Sequence, residues 1–273
     1  MAVTMADISK LRTMTGAGMM DCKNALNEAE GNFDKAIEII RKKGQAIAAK
    51  RSDRQASEGC VLSASNGDFA AVVAIKCETD FVAQNADFIA LTQSILDAAM
   101  ANKIADKDAL LALEIDGRSI ADLITDRSGI TGEKMELGFY EVVNGAATVA
   151  YIHPGNKLAT VVAFNEALDA QVAREIAMQV AAMNPIAVKR DEVPANIIAT
   201  ELEVGREKAR QEGKPEAMLD KIAEGRLNKF YKESTLLEQE FIKDAKLSVQ
   251  QYLKQASASL TATAFKRVTL NEE

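Results

Sequence analysis

One segment of the chain, residues 69–85, reads FAAVVAIKCETDFVAQN and joins two different hydrophobic patterns. Its first seven residues are all apolar, which is typical of a buried strand, whereas residues 87–96 repeat apolar side chains at helical spacing. Asp80 and Phe81 therefore lie at a strand-to-helix corner, where a side chain can be presented rigidly to another molecule. The spacing leaves one alternative open, namely that Phe81 folds back and caps its own helix.

An internal repeat bears on this choice. The run at 72–75 recurs at 161–164, an offset of 89 residues, and the helix end at 98–100 recurs at 181–183, an offset of 83 residues. Each copy predicts a hairpin, a strand, a corner and a helix. The first copy thus carries six extra residues, and they fall around 79–81. Because the second copy closes without them, a functional role is favoured for these residues.

Composition and charge exclude several classes of function. The chain has 273 residues, a formal net charge of −7 and three cysteines. The negative charge argues against a nucleic-acid binder, because phosphate contacts need a basic face. Neither a basic-then-apolar leader nor an apolar run of about 20 residues is present. We therefore expect a soluble, cytoplasmic protein that contacts no membrane and no nucleic acid directly.

Motifs for catalysis are nearly absent. His153 is the only histidine, so a catalytic triad or a multi-histidine zinc site would have to include it. It lies in a Pro-Gly turn, where it is either solvated or part of a contact surface. No P-loop is present. We expect no catalytic residue, no metal and no cofactor, and the enzymatic alternative is a nucleophilic thiol at Cys22, Cys60 or Cys77.

The hydrophobic patterns predict an α+β fold with a duplicated core of antiparallel sheets backed by helices. Thr4 and Asn32 are expected to cap the first and third N-terminal helices, and Gly44 to end the third. Residues 106–127 have a helical pattern. The predicted divisions are a three-helix module at 1–45, a linker at 46–58, core subdomain 1 at 59–143, core subdomain 2 at 144–246 with a helical hairpin inserted at 190–232, and a C-terminal helical module at 247–273.

The inserted hairpin has an uneven distribution of apolar residues. Its second helix carries a broad stripe between Met218 and Phe230, whereas its first helix is leaner. An apolar stripe that the partner helix cannot cover needs a second surface. We expect the hairpin to project into solvent and to provide a homodimer contact or an additional contact with a partner.

Two motifs of this chain resemble the signatures of bacterial elongation factor Ts. The sequence MTGAGMMDCKNAL at 14–26 resembles the N-terminal signature of that family, and CETDFVA at 77–83 resembles its second signature. The resemblance extends over the whole chain. It implies an N-terminal module similar to ubiquitin-associated (UBA) domains, a duplicated core, an inserted helical hairpin and a C-terminal module.

The resemblance also implies a function and a set of contact residues. Members of the family are guanine-nucleotide exchange factors that bind the GTPase elongation factor Tu and promote GDP release in translation elongation. They are not enzymes, because they catalyse no covalent reaction. The implied contacts are Thr79, Asp80, Phe81 and Val82 in a loop that disturbs the partner's Mg²⁺ and phosphate site, Met19 and Met20 in the N-terminal module, and His153, Ile242 and Lys243 elsewhere. The alternative is a protein-binding scaffold that uses its UBA-like module and has no exchange activity.

Overall fold

Small antiparallel sheets with helices packed on them make up the fold, which confirms the predicted α+β class. A computed structural model of the chain describes residues 3–271. The chain folds into two compact units. The first contains the chain up to Leu62, Val73–Glu141 and the chain end from Leu270, and the second contains Ser63–Val72 and Val142–Thr269. The domain boundaries predicted from the sequence stay predictions.

The helices and strands follow one another in short groups along the chain. The helices are α1 (Met5–Thr15), α2 (Met19–Glu28), α3 (Phe33–Lys50), α4 (Asp80–Ala83), α5 (Ala86–Asn102), α6 (Lys107–Ala112), α7 (Ile120–Thr131), α8 (Ala170–Met183), α9 (Ala195–Gln211), α10 (Leu219–Ser234) and α11 (Val249–Ala256). The strands are β1 (Glu58–Ser65), β2 (Phe69–Cys77), β3 (Glu114–Ile115), β4 (Arg118–Ser119), β5 (Glu136–Asn144), β6 (Ala147–Ile152), β7 (Leu158–Phe164), β8 (Glu240–Phe241), β9 (Asp244–Ser248) and β10 (Ala262–Thr269).

The three N-terminal helices begin where the sequence predicts. Thr4 and Asp7 form a capping box at the start of α1, and the side chain of Asn32 accepts a hydrogen bond from the backbone N–H of Lys35 in α3. Each cap satisfies a backbone donor that would otherwise have no partner. A small cluster of buried side chains, which includes Leu11 and Leu26, holds the helices together.

The third helix is longer than predicted. We expected Gly44 to end α3, but the helix continues through it to Lys50. The reason is tertiary, because Gly44 lies against Gly129 of α7. A Cβ atom on Gly129 would be only 2.2 Å from the Cα atom of Gly44. Glycine at this position therefore permits two helix backbones to touch and does not terminate the helix.

The segment 106–127 is not the single helix that its pattern predicts. α6 and α7 are separated by the short hairpin of β3 and β4, in which Glu114 pairs with Ser119 and Ile115 with Arg118. The turn residues between these strands, Asp116 and Gly117, have φ angles of 52° and 74°. Two successive positive φ angles are what a type I′ hairpin turn requires, so this local turn interrupts the apolar helical spacing.

The two copies of the repeat form two three-stranded sheets, with strand orders β1-β2-β5 and β10-β7-β6. In each copy a hairpin is followed by a helix, β1-β2 by α5 and β6-β7 by α8. The extra residues of the first copy form α4, a helix of four residues. In the second sheet every residue of β7 is buried, as expected for a central strand, and the last strand, β10, pairs antiparallel with it.

The inserted hairpin is closely packed along its length. A Cβ atom on Gly205 of α9 would lie 3.0 Å from the Cα atom of Ala223 of α10, and Ala209 and Leu219 are buried. Exposed ion pairs also join the two helices, and such pairs contribute little to stability. Met218 remains exposed. Self-association through this hairpin stays a prediction.

Replacing Gly129 by alanine should lower the free energy of unfolding by about 1–3 kcal/mol, because an added methyl group overpacks a close contact. That methyl group would meet the backbone of Gly44 at 2.2 Å. Urea denaturation of the full chain measures the effect. The matched control is Gly225→Ala in α10, where no atom lies within 4 Å of the new Cβ, and it should be neutral or stabilising by up to about 1 kcal/mol. Equal responses of the two variants would contradict the close crossing of α3 and α7.

Candidate functional site

The corner between β2 and α4 presents an aromatic ring to solvent. β2 ends at Cys77, and the side chain of Thr79 caps α4 by accepting a hydrogen bond from the backbone N–H of Val82. Phe81 is 84% exposed, so the alternative in which it folds back on its own helix is wrong. Asp80 beside it is also exposed, whereas Val82 is half-buried. The turn therefore has a fixed base and a free tip.

A carboxylate from a distant part of the first unit holds the base of this turn. Glu133 Oε2 accepts hydrogen bonds from the backbone N–H groups of Glu78 and Thr79, each at 3.1 Å, and Glu133 Oε1 accepts one from the Thr79 hydroxyl at 2.6 Å. Glu78 accepts a hydrogen bond from the backbone N–H of Lys134 at 2.7 Å and pairs with Arg51 at 3.4 Å. Sequence reasoning missed Glu133, because it lies 54 residues from Thr79 and belongs to no motif.

The cysteines do not have the properties of nucleophiles. All three are buried. Burial raises the pKa of the Cys60 thiol to about 11 and, together with the charge of nearby Glu133, raises that of Cys77 to about 12. Thiols with such pKa values are almost fully protonated at neutral pH, and the thiolate is the reactive form. Cys77 instead donates a hydrogen bond to the carbonyl oxygen of Thr79 at 3.3 Å, which adds to the support of the turn.

The described chain offers neither a metal-binding cluster nor a membrane-spanning helix. Over residues 3–271, no group of three or more histidine, cysteine, aspartate or glutamate side chains is arranged to hold a metal ion. In the same part of the chain, every helix is too short or too polar to cross a membrane.

The two methionines of the N-terminal motif differ in their surroundings. Both lie in the first turn of α2, but Met20 is 63% exposed, whereas Met19 is half-buried and packs against the core of the three helices. Met14 is exposed as well. A partner could therefore contact Met20 without any change in the module, whereas Met19 already belongs partly to its core.

His153 lies in the turn between β6 and β7 and is exposed. Its Nδ1 is 3.0 Å from the hydroxyl of Tyr151, and the two rings meet edge to face. The guanidinium of Arg174 lies over the Tyr151 ring, 5.5 Å from its centre. The histidine is therefore oriented by its neighbours on the hairpin, in contrast to a freely rotating surface side chain.

Ile242 and Lys243 lie between β8 and β9 and are hydrogen-bonded to side chains of α8. The backbone N–H of Ile242 donates to Gln179 Oε1 at 2.9 Å, and Lys243 Nζ donates to Glu175 Oε1 at 2.7 Å. The hydroxyl of Tyr252 also donates to Glu175. The side chain of Ile242 is exposed. The segment thus offers an apolar side chain on an anchored backbone, while the charge of Lys243 is paired.

The predicted site residues are divided between the two compact units. Met19, Met20 and the turn at 79–82 belong to the first unit, whereas His153 and the pair Ile242–Lys243 belong to the second. Within each unit the exposed residues of this set, Met20 and Phe81 in the first and His153 and Ile242 in the second, lie in turns or at helix ends. This arrangement suits contact with a macromolecule better than chemistry on a small substrate.

Comparison with known proteins gave consistent matches. The family model described as "Elongation factor TS" matches residues 78–272. Curated proteins named "Elongation factor Ts" are similar over the full length of both chains. The protein from Porphyromonas gingivalis is 65% identical over 274 aligned positions, that from Azobacteroides pseudotrichonymphae is 57% identical over 274, and that from Bacteroides thetaiotaomicron is 48% identical over 330.

The Glu175 contacts predict a pH dependence of stability. Burial alone would raise the pKa of this carboxyl, but hydrogen bonds from Lys243, Tyr252 and Gln171 outweigh burial and lower the pKa from 4.5 to about 2. The unfolded chain therefore binds the proton more tightly, so the contribution is present above pH 4.5 and is lost as the pH falls towards 2. At 1.36 kcal/mol per pKa unit, the loss is at most about 3 kcal/mol.

Glu175→Gln should remove this part of the pH dependence. Urea unfolding of the full chain at several pH values between about 2.5 and 6 measures it. The control is Glu224→Gln, which replaces an exposed carboxylate of α10 and should keep the wild-type profile. A Glu175→Gln profile as steep as that of the wild type would show that Glu175 is not responsible.

Proposed function

The chain belongs to the elongation factor Ts family, and from this premise we propose that it is a guanine-nucleotide exchange factor for elongation factor Tu. The family makes it a translation elongation factor. The proposal adds that it binds the GDP-bound GTPase, disturbs the Mg²⁺ and phosphate site and stabilises the nucleotide-free state. The observation that carries the proposal is Phe81, an exposed aromatic ring on a hydrogen-bonded turn.

Exchange of this kind needs binding energy and no catalytic base. A nucleotide held with nanomolar affinity is bound by about 12 kcal/mol. A factor that binds the empty GTPase more tightly than the filled one weakens nucleotide binding by the same ratio, because the coupling between two ligands is reciprocal. The site described above supports this mechanism, since Asp80 and Phe81 lie exposed on a surface turn.

We assign the disturbance of the Mg²⁺ site to Asp80 and Phe81. The ring of Phe81 projects from a turn whose backbone is already ordered, so little conformational entropy is lost on binding. A rigid ring inserted beside the nucleotide displaces the groups around Mg²⁺, and the carboxylate of Asp80 is placed next to that charge. Thr79 and Val82 act through the shape of the turn, because one caps α4 and the other is half-buried.

The remaining contacts supply adhesion. Methionine is flexible and polarisable, so an exposed Met20 suits an adaptable contact with an apolar patch of the partner. Ile242 offers a second apolar contact, and His153 a polar one. We propose that these residues bind elongation factor Tu whether or not nucleotide is bound, which leaves the discrimination between the two states to the Phe81 turn.

The alternative is a scaffold that binds other proteins through its UBA-like module and has no exchange activity. That function would leave the extra turn of the first repeat copy and its support by Glu133 without a use. We also propose that the partner is a protein, and that the chain binds neither nucleic acid nor a membrane directly. A measurement of GDP release from purified elongation factor Tu distinguishes the two functions, because only an exchange factor accelerates it.

Phe81→Ala should lower the maximal rate of GDP release by roughly tenfold or more, the size expected for the loss of a central aromatic contact. Its melting temperature should not change, because the ring is 84% exposed. Stopped-flow release of a fluorescent GDP measures the rate. The matched control is Phe139→Ala, which removes another exposed phenylalanine of the first unit. Normal release by Phe81→Ala, with normal binding, would refute the assignment.

Met19 and Met20 should respond differently to the same substitution. Met20→Asp should weaken binding of elongation factor Tu by about tenfold and leave the melting temperature unchanged, because a charge replaces an exposed apolar contact. Met19→Asp should lower the melting temperature, because this side chain packs on the core of the module. Isothermal calorimetry and thermal melting of the full chain test both. Destabilisation by Met20→Asp, with Met19→Asp neutral, would contradict these assignments.

A further inference from the structure

The turn that carries Phe81 cannot hold its own conformation. α4 has four residues, and a helix of one turn is unstable alone because it fixes several dihedral angles for very few hydrogen bonds. The side chain of Phe81 adds little packing, since it is 84% exposed. The conformation of the turn must therefore be imposed by its surroundings, namely by the packing of the buried Ala83 and by the residues that precede α4 with the groups that bind them.

The carboxylate of Glu133 binds those residues through three donors, the N–H groups of Glu78 and Thr79 and the Thr79 hydroxyl. A hydroxyl group has a single proton to donate. Thr79 gives its proton to Glu133 at 2.6 Å, which leaves the hydroxyl oxygen to accept the hydrogen bond from the backbone N–H of Val82 at 3.4 Å. Glu133 thus fixes the rotation of the Thr79 hydroxyl, so that its oxygen is directed at the backbone N–H of Val82 in α4.

Glu133 is itself held in place by the end of α7. It follows Gly132, which ends that helix in the left-handed conformation with φ 74°. Its carbonyl oxygen accepts a hydrogen bond from the Ser128 hydroxyl, and its backbone N–H donates to Thr131 Oγ1 at 3.3 Å. The position of the carboxylate is therefore set by a helix of twelve residues and not by a mobile loop.

We propose that Glu133 is a positioning residue for nucleotide release, which acts through Thr79 on the orientation of Asp80 and Phe81. The inference rests on the proposed exchange function and assigns to this function a residue outside both sequence motifs. Glu133 strengthens the discrimination between nucleotide-bound and empty partner and contributes little to overall binding, because its carboxylate is engaged with the chain itself.

The first test is Glu133→Gln. The amide keeps the size of the side chain, but whichever way it is oriented, at least one of the three donors loses its acceptor. The maximal rate of GDP release should fall roughly five- to tenfold, the effect of one typical net hydrogen bond. The factor concentration that gives half-maximal release should change by less than about twofold, since uniform binding is untouched. Glu114→Gln, on the exposed strand β3, is the control and should match the wild type.

Thr79→Val removes the hydrogen bond to Glu133 from the other side, together with the cap of α4, and keeps the shape of the side chain. It should lower the rate at least as much as Glu133→Gln, and the double variant should be no slower than the slower single one, because residues that act through one contact are not additive. Likewise, Glu133→Gln should cost less in the Phe81→Ala background than in the wild type, because only the contribution of Asp80 is then left to lose. Additive losses in these combinations would show that Glu133 acts elsewhere and would overturn the inference.

The outcomes separate the two proposals. If the wild type does not release GDP, or if Phe81→Ala releases it at the wild-type rate, the proposed function fails. If the wild type is active and Phe81→Ala is slow, but Glu133→Gln and Thr79→Val both match Glu114→Gln, the positioning role alone fails. Thermal melting of each variant identifies loss of folding, and a folded Thr79→Val variant decides the matter where Glu133→Gln is destabilised.

Discussion

The backbone contact between Gly44 and Gly129 determines how the first unit is assembled. It lets α3 and α7 cross closely, and both helices end at the base of the same turn. Arg51, which caps α3, pairs with Glu78, while Glu133, just beyond α7, binds Thr79. A side chain at the crossing would separate the helices and displace these two supports together. The requirement for glycine at the crossing of α3 and α7 thus helps to set the position of the exposed ring of Phe81.

The proposed exchange function uses a rigid tip and adaptable contacts for different purposes. An aromatic ring held on an ordered turn loses little entropy when it binds, so its contact energy is available to distort the partner. An exposed methionine adjusts to the surface it meets and gives affinity without demanding one geometry. The structure puts hydrogen-bonded support under Phe81 and leaves Met20 free, which matches this division between distortion and adhesion.

Local features of this fold could be predicted from the sequence, whereas long-range contacts could not. The caps at Thr4 and Asn32 and the exposed position of Phe81 follow from short motifs and from the repeat. The predicted helix end at Gly44 is wrong because a glycine within a helical pattern looks the same in two situations. It can terminate the helix, or it can let a second helix pack closely against it. Glu133 went unnoticed for a related reason, since its partners lie more than fifty residues away and only the folded chain brings them together.

The pairing of β10 with β7 sets the order in which the second sheet can be completed during synthesis. Residues 262–269 are synthesised long after β7, yet they pair with one edge of a strand whose seven residues are all buried. Until then β7 has β6 alone as a neighbour and presents an apolar edge to other nascent chains. A chain truncated before residue 262 keeps this edge permanently, and we expect such a species to be prone to aggregation.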